Sequence, residues 1–330
     1  GHIDECEECG HIRISYNSCR NRHCPKCQFL TKEKWLEARG KELLPIPYFH
    51  VVFTVPEPLN PLALRNQRAV YAILFKAASE TLMELAQKRL GVRVGVIAVL
   101  HTWGQNLMDH PHIHCVVTGG GLTADGWKPS KRRFLLPVKV MSRLFRGKVL
   151  SFVKNAKLHF PGTIAPLKET FATFLKELYA REWVVYCKPP FHGPESVIQY
   201  LGRYTHRVAL TNHRLISREG GKVSFTWKDY ADGNRRKVMT LDTGEFIRRF
   251  LLHILPHGFM RIRSFGIVSN RHRMACLARC RMLLGVKGVP ESAPEPWQAL
   301  LLRLTGIDVL HCPRCNGTMR IRLLSSRGPP

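Results

Sequence analysis

Acidic side chains are scarce in this chain of 330 residues: 24 Asp and Glu stand against 51 Lys and Arg, for a formal net charge of +27. The excess of cations is spread from Arg13 to Arg322. Charge distributed in this way favours extended contact with a phosphate backbone over a single basic tail. We therefore expect a nucleic acid as the partner.

Long apolar runs are also missing. No stretch of eighteen apolar residues occurs, and no basic amphipathic helix stands alone. The first absence excludes a membrane-spanning helix, and the second argues against a membrane surface as the partner of the positive charge. With 45% hydrophobic residues, the chain is able to bury a large core, so we expect one main domain with smaller appendages.

The sequence shows no signal-peptide pattern, and its 11 cysteines fall mainly in C-x-x-C pairs. In a reducing compartment, such pairs indicate metal-binding thiols rather than disulfides. Two pairs separated by fourteen residues predict a four-thiolate zinc ribbon in residues 1–29. Its predicted ligands are Cys6, Cys9, Cys24 and Cys27, with Cys19 and His23 as further donors. Because the chain starts at Gly1, we expect part of this module to precede it.

The third pair, Cys312/Cys315, cannot close a four-ligand site by itself. We predict a zinc half-site in a helical C-terminal extension of residues 266–330, completed by His311 or by Cys276/Cys280. Thiols without metal are the alternative. Between the two cysteine-rich ends, hydrophobic periodicity predicts a mixture of helices and strands. The predicted strands lie at 48–55, 92–103, 111–119, 183–187, 214–217, 223–227 and 236–240, and the predicted helices at 30–43, 61–90, 141–156, 169–181, 243–254 and 266–283, with another opening at Pro194.

A histidine pair lies on the second strand of a predicted β-hairpin formed by 92–103 and 111–119. Successive side chains of a strand point to opposite faces, so His112 and His114 share one face and can bind one ion. If residue 104 pairs near residue 111, His101 falls opposite residue 114 and becomes the third ligand. Gln105, Asp109 and His110 are the alternatives to His101. A phosphoryl-transfer site favours Mg²⁺ or Mn²⁺ over Zn²⁺, and a hydrogen-bonded core strand is the rival interpretation.

Two tyrosines, Tyr200 and Tyr204, are four residues apart, which places them about 6 Å apart along one face of a helix. Their alternative role is as core residues. Arg203 and Arg207 beside them suit phosphate binding better than a dry core. A phenol is a weak nucleophile unless a metal or a cation assists it. The metal site, the tyrosine pair and the basic chain together favour nucleophilic cutting of DNA.

His112-Ile113-His114 resembles the His-hydrophobic-His motif of HUH endonucleases. The Tyr-x-x-x-Tyr pattern resembles the paired nucleophile of two-tyrosine rolling-circle transposases, the insertion-sequence family ninety-one. Residues 16–27 resemble the zinc-binding region of that family, residues 204–207 its tyrosine block, and residues 255–263 the segment after its catalytic core. The likeness covers nearly the whole chain.

This resemblance implies an α+β fold with a central antiparallel sheet flanked by helices, and a catalytic domain of residues 30–265. It implies that one tyrosine attacks a DNA phosphate, forms a 5′-phosphotyrosine and frees a 3′-hydroxyl, and that the second tyrosine allows a second cleavage. Some relatives carry a single tyrosine, which corresponds by pattern to Tyr204. The implied partner is single-stranded DNA in the cytoplasm, at the nucleoid of a bacterial cell.

Two rival functions fit the same residues. One is a non-catalytic zinc-ribbon protein that binds nucleic acid, with histidines that serve structure. The other is a metal-dependent phosphodiesterase that uses activated water. Aromatic side chains suited to stacking on unpaired bases are Trp103, Trp227 and Phe225, although core packing is the more common use of such residues.

Overall fold

A computed structural model of the chain describes residues 1–17, 19, 24, 28–131, 135–191, 193–204, 209–230, 232–286 and 295–322, with the backbone alone at positions 203, 204 and 212. The chain divides into two compact units. The terminal unit consists of Gly1–Glu37 and Val289–Pro330, and the central unit of Ala38–Gly288. The structure thus differs from the expected separation of a zinc module at 1–29 from an extension at 266–330, because both ends of the chain belong to one unit.

The strands, in chain order, are β1 His2–Cys6, β2 Ile12–Ser15, β3 Tyr48–Thr54, β4 Gly95–Trp103, β5 Asp109–Thr118, β6 Gly120–Leu122, β7 Trp127–Pro129, β8 Val185–Cys187, β9 Leu215–Glu219, β10 Lys222–Asp229, β11 Arg235–Asp242, β12 Ile262–Gly266 and β13 Met319–Arg322. The α-helices are α1 Phe29–Gly40, α2 Asn60–Arg65, α3 Gln67–Leu90, α4 Val138–Lys154, α5 Phe171–Ala180, α6 Pro194–Tyr204, α7 Thr243–Leu251, α8 Arg273–Leu283 and α9 Trp297–Thr305.

The central unit is built on a five-stranded antiparallel sheet with the order β12-β4-β5-β3-β8. One face of this sheet packs against α3 and α4 and forms the main hydrophobic core. Alternation along the strands produces this face, since Phe49, Val51 and Phe53 of β3 all point into the core with Ile113 and Cys115 of β5. The fold therefore has the α+β class and the flanked antiparallel sheet that the sequence predicts.

The opposite face of the same sheet carries histidines. His50 of β3, His101 of β4, and His112 and His114 of β5 occupy the positions that alternate with the core residues. His101 lies directly opposite His112, and Trp103 opposite Asp109. The predicted register, with His101 opposite residue 114, is wrong by two residues. An error of two preserves the face, because side chains alternate with a period of two.

Each unit also contains a three-stranded sheet, and β6 pairs with β7 in the central unit. In the central unit, β9, β10 and β11 form an antiparallel sheet, and Phe225 packs with Leu107, Leu210 and Phe246 of neighbouring segments. In the terminal unit, β13, β1 and β2 form another antiparallel sheet. Within the described ranges, every helix is too short or too polar to serve as a membrane-spanning segment.

Several elements of the central unit differ from the predictions. The expected single helix at 61–90 is interrupted at Asn66, whose side-chain amide exchanges hydrogen bonds with the backbone of His159. The edge strand β12 was not predicted, because its residues are only partly buried and show no clear alternation. Residues 266–283 begin with a turn, and the helix there starts only at Arg273.

Candidate metal and tyrosine site

Three imidazoles meet on the face of the central sheet that lies opposite the main core. One ring nitrogen from each of His101, His112 and His114 lies within 4.8 Å of the others. An ion held by three imidazoles at about 2.1 Å requires nitrogen separations of about 3 to 4 Å. Small ring rotations therefore make these three residues fit a divalent ion, and His101 rather than Gln105, Asp109 or His110 stands with the His112/His114 pair.

The hydrogen bonds of His112 determine which nitrogen is free. Nδ1 of His112 lies 2.6 Å from the carbonyl oxygen of His110. A carbonyl only accepts, so Nδ1 carries the proton and Nε2 keeps its lone pair. A backbone carbonyl that fixes the tautomer in this way is a common partner of metal-binding histidines.

His50 is a member of the site that the sequence analysis did not identify. Its Nε2 lies 2.9 Å from Nδ1 of His114, and the two rings stack with centroids 5.2 Å apart. The hydroxyl of Tyr200 lies 2.5 Å from Nε2 of His50 and 2.8 Å from Nδ1 of His114. The sequence of β3 could have indicated this role, because His50 interrupts a run of apolar residues at a position that alternates with the core positions.

The proton positions in this triad follow from the free nitrogens. If Nε2 of His114 faces an ion, Nδ1 carries the ring proton and donates a hydrogen bond to the Tyr200 oxygen. The Tyr200 hydroxyl then donates to Nε2 of His50. Nδ1 of His50 holds the remaining ring proton and has no hydrogen-bond partner among the described residues. Tyr200 and His50 therefore both contact Nδ1 of His114 and fix the orientation of its ring.

Burial keeps these imidazoles neutral. Loss of solvent lowers the pKa of His112 to about 4 and that of His50 to about 3, and nearby positive charge on Lys188 adds to the effect on His50. Burial, followed by the neighbouring imidazoles, also lowers the pKa of His114 well below its usual value. Neutral imidazoles are the form that binds metal, so the group can take up an ion near pH 7.

Helix α6 brings the tyrosine segment to this face. Val197 and Leu201 are fully buried and anchor the helix, and Tyr200 points between them to the histidines. Tyr204 is the last residue of α6. The side chains of Arg203 and Tyr204, and the whole of Arg207, lie outside the described residues, as do His23 and Cys27.

A cleft of about 1110 Å³ lies next to the histidine cluster. Its lining includes His110, two residues before His112 on β5, and Trp227, Lys228 and Tyr230 around the end of β10. Of the three predicted stacking residues, Phe225 is fully buried in the core, and only Trp227 lines the cleft. Tyr230, which the sequence analysis did not single out, is 65% exposed.

The cysteines group differently from the prediction. Cys6 and Cys9 were expected to share a zinc with Cys24 and Cys27, but the thiols beside them are those of Cys312 and Cys315. The physical reason is the pairing of β1 with β13, which joins the ends of the chain. Cys276 and Cys280, offered as partners of the C-terminal pair, lie on α8 of the central unit and are not part of this group.

Two family models match the chain. Residues 95–275 match a family model described as a putative transposase, and residues 1–55 match a model of the IS91 transposase zinc-binding domain. No solved structure matches the chain.

Two curated relatives span nearly the whole chain. The putative transposase y4qJ of Sinorhizobium fredii is 51% identical over 96% of this chain and 83% of its own length. The transposase for insertion sequence element IS801 of Pseudomonas savastanoi is 28% identical over 94% of this chain and 76% of its own length. The chain therefore belongs to the IS91 family of transposases and carries the zinc-binding domain of that family at its N-terminal end.

Proposed function

We propose that this transposase nicks and rejoins single-stranded DNA through a tyrosine nucleophile that works beside a divalent ion. The observation that supports the proposal is the convergence of three imidazoles and a phenol on one face of the central sheet, from β4, β5 and α6. Helix α6 is distant in sequence from the β4–β5 hairpin, and core packing alone gives no reason for four polar rings to meet.

The ion would be held by His101, His112 and His114, and Mg²⁺ or Mn²⁺ suits the reaction. A bound ion polarises a phosphate oxygen and makes the phosphorus a better target. His50 and Tyr200 would hold His114 in its metal-binding orientation. The carbonyl of His110 would do the same for His112.

The covalent step is a transesterification. The phenolic oxygen of a tyrosine attacks the phosphorus, the bond from phosphorus to the 3′-oxygen breaks, and the phenolic proton is lost while the 3′-oxygen leaves as a hydroxyl. One phosphoester bond replaces another, so no external energy source is needed. The 5′-phosphotyrosine can later be attacked by a 3′-hydroxyl, which rejoins the strand and releases the tyrosine.

The two tyrosines would divide the work. Tyr200 is held by hydrogen bonds to His50 and His114, so its oxygen is engaged before DNA arrives. Tyr204 lies one helical turn further along α6 and matches the single tyrosine of one-tyrosine relatives. We assign the first cleavage to Tyr204, and to Tyr200 the second cleavage together with the orientation of His114.

The unpaired strand would follow the cleft that His110 and Tyr230 line. Aromatic side chains and cations bind single strands together, because bases stack on rings while cations contact phosphates. Tyr230 offers an exposed ring, and Nζ of Lys228 lies 5.8 Å from the centre of that ring. Arg65 and Arg248 also line the cleft.

The test is a denaturing gel of the protein incubated with a labelled single-stranded oligonucleotide and Mn²⁺. A slow band that disappears on protease treatment supports the tyrosine nucleophile. Cleaved DNA without attached protein would instead indicate hydrolysis by water. DNA that is bound but intact would indicate a binding protein without nuclease activity.

A further inference from the structure

The two ends of the chain bring four thiols together in the terminal unit. Sγ of Cys6 lies 3.4 Å from Sγ of Cys315, and Sγ of Cys9 lies 3.7 Å from Sγ of Cys312. All four sulfurs lie within 4.8 Å of one another. Zinc bound by four thiolates at about 2.3 Å in a tetrahedron places its sulfurs about 3.8 Å apart. The four residues thus fit a closed structural zinc site.

We propose that Cys6, Cys9, Cys312 and Cys315 hold one zinc ion that links the N-terminal and C-terminal segments into a single composite zinc ribbon. The family model of the zinc-binding domain matches only residues 1–55 and therefore covers half of this ligand set. The other half follows about three hundred residues later, after the whole central unit.

The two C-x-x-C pairs have the same local backbone geometry. The amide of Gly10 donates to the carbonyl of Cys6 over 3.1 Å, and the amide of Asn316 donates to the carbonyl of Cys312 over 2.9 Å. Gly10 and Asn316, each directly after the second cysteine, have φ values of +65° and +63°. Left-handed residues at equivalent positions make the two turns matching halves of one tetrahedral site.

The strands around the thiols hold these halves together. β1 and β13 pair antiparallel with Cys6 opposite Met319. Cys6 and Cys312 are 2% and 3% exposed and form a small core with Met319. Gly317 lies so close to the first turn that an added Cβ would stand 2.6 Å from the carboxyl carbon of Glu8.

Polar contacts also join the two segments. The guanidinium of Arg13 donates to the carbonyls of Asp308 and Val309 and to the carboxylate of Asp4. Arg320 pairs with Glu7, and Arg322 pairs with Glu5 at 2.8 Å. A unit this small, with few buried apolar residues among its described positions, needs a further source of stability, and a structural zinc supplies it.

The test compares zinc content per chain in four full-length proteins: wild type, Cys6→Ser/Cys9→Ser, Cys312→Ser/Cys315→Ser, and the quadruple variant. One shared site predicts that each double variant loses one zinc ion relative to wild type and that the quadruple variant loses no more than either double. The matched control, Cys276→Ser/Cys280→Ser, keeps the wild-type content. A C-terminal double variant with full zinc, or a quadruple variant that loses two ions, would overturn the proposal.

A second measurement uses the unmodified protein, in case a variant fails to fold. The protein is alkylated under native conditions, with and without a chelator, and the labelled cysteines are mapped by mass spectrometry. Cys9 and Cys315 are exposed, so as free thiols they would react at once. A shared zinc predicts that all four cysteines resist alkylation until the chelator is added and then react together. Rapid labelling of Cys312 and Cys315 in the presence of zinc would contradict it.

Discussion

The hydroxyl oxygen of Tyr200 lies 2.8 Å from Nδ1 of His114, so a tyrosine of the predicted nucleophile pair touches a histidine of the predicted metal pair. His50 completes the contact from β3. Tyr200 is therefore part of the proposed metal site as well as of the tyrosine segment. Its effect on the metal can be separated from its effect on the covalent step.

His50 tests whether this contact network supports metal binding. The variant His50→Phe keeps a ring of similar size but removes the nitrogen that faces His114 and Tyr200. Loss of a partner that orients a metal ligand typically weakens the site 10- to 100-fold. We expect the Mn²⁺ concentration at half-maximal cleavage to rise by about that factor, with oligonucleotide affinity unchanged. The same substitution at the exposed His257 is the control. An unaltered Mn²⁺ dependence in His50→Phe would show that His50 does not support metal binding.

His101 tests the identity of the third ligand. His101→Ala removes a nitrogen that lies within 4.8 Å of those of His112 and His114. The loss of metal affinity should exceed the loss caused by removing an indirect partner. We therefore expect the Mn²⁺ concentration at half-maximal cleavage to rise by roughly 100-fold or more. His110→Ala is the matched control from the same hairpin, since its side chain lines the cleft. Equal effects of the two variants would contradict the assignment of His101.

Much of this arrangement could be predicted from the sequence, because it depends on local patterns. The alternation in β5 places His112 and His114 on one face whatever the partner strand is. Tyr200 and Tyr204 are four residues apart, so any helix places them on one face. His50 and the C-terminal cysteines were missed as partners because their roles depend on pairing between distant strands, β3 with β5 and β1 with β13, which no local pattern specifies.

Asp109 tests the electrostatics of the cleft. Burial raises the pKa of its carboxyl from 3.8 to about 7, and neither carboxyl oxygen has a hydrogen-bond partner among the described residues. The folded state therefore favours the neutral acid. This favourable contribution is complete below about pH 4 and is lost as the pH rises through 7.

Asp109→Asn should therefore change stability in a pH-dependent way. At pH 8 we expect the free energy of unfolding to rise by about 2 kcal/mol, after allowance for the part of the residue that solvent reaches. At pH 5 the acid is already neutral in the folded state, so the variant should differ much less from wild type. Urea unfolding at both pH values measures the difference. A gain of the same size at pH 5 would show that ionisation is not its cause.

Tyr230 tests the path of the single strand. Stacking of a base on an aromatic ring contributes about 1–3 kcal/mol. Tyr230→Ala should therefore weaken binding of a single-stranded oligonucleotide by about 10-fold in a fluorescence anisotropy titration. Tyr179 on α5 is 58% exposed and does not line the cleft, so Tyr179→Ala is the matched control. If the two variants bind equally well, the strand does not pass Tyr230.

The most direct measurement of the central claim identifies the residue that becomes linked to DNA. Protein is incubated with a single-stranded oligonucleotide and Mn²⁺, digested with trypsin and nuclease, and its nucleotide-bearing peptides are sequenced by mass spectrometry. We expect a phosphotyrosine at Tyr204, no adduct at that position in Tyr204→Phe, and a weaker Mn²⁺ response in Tyr200→Phe. Cleaved DNA with no attached peptide, or an adduct on a residue outside α6, would contradict the proposed mechanism.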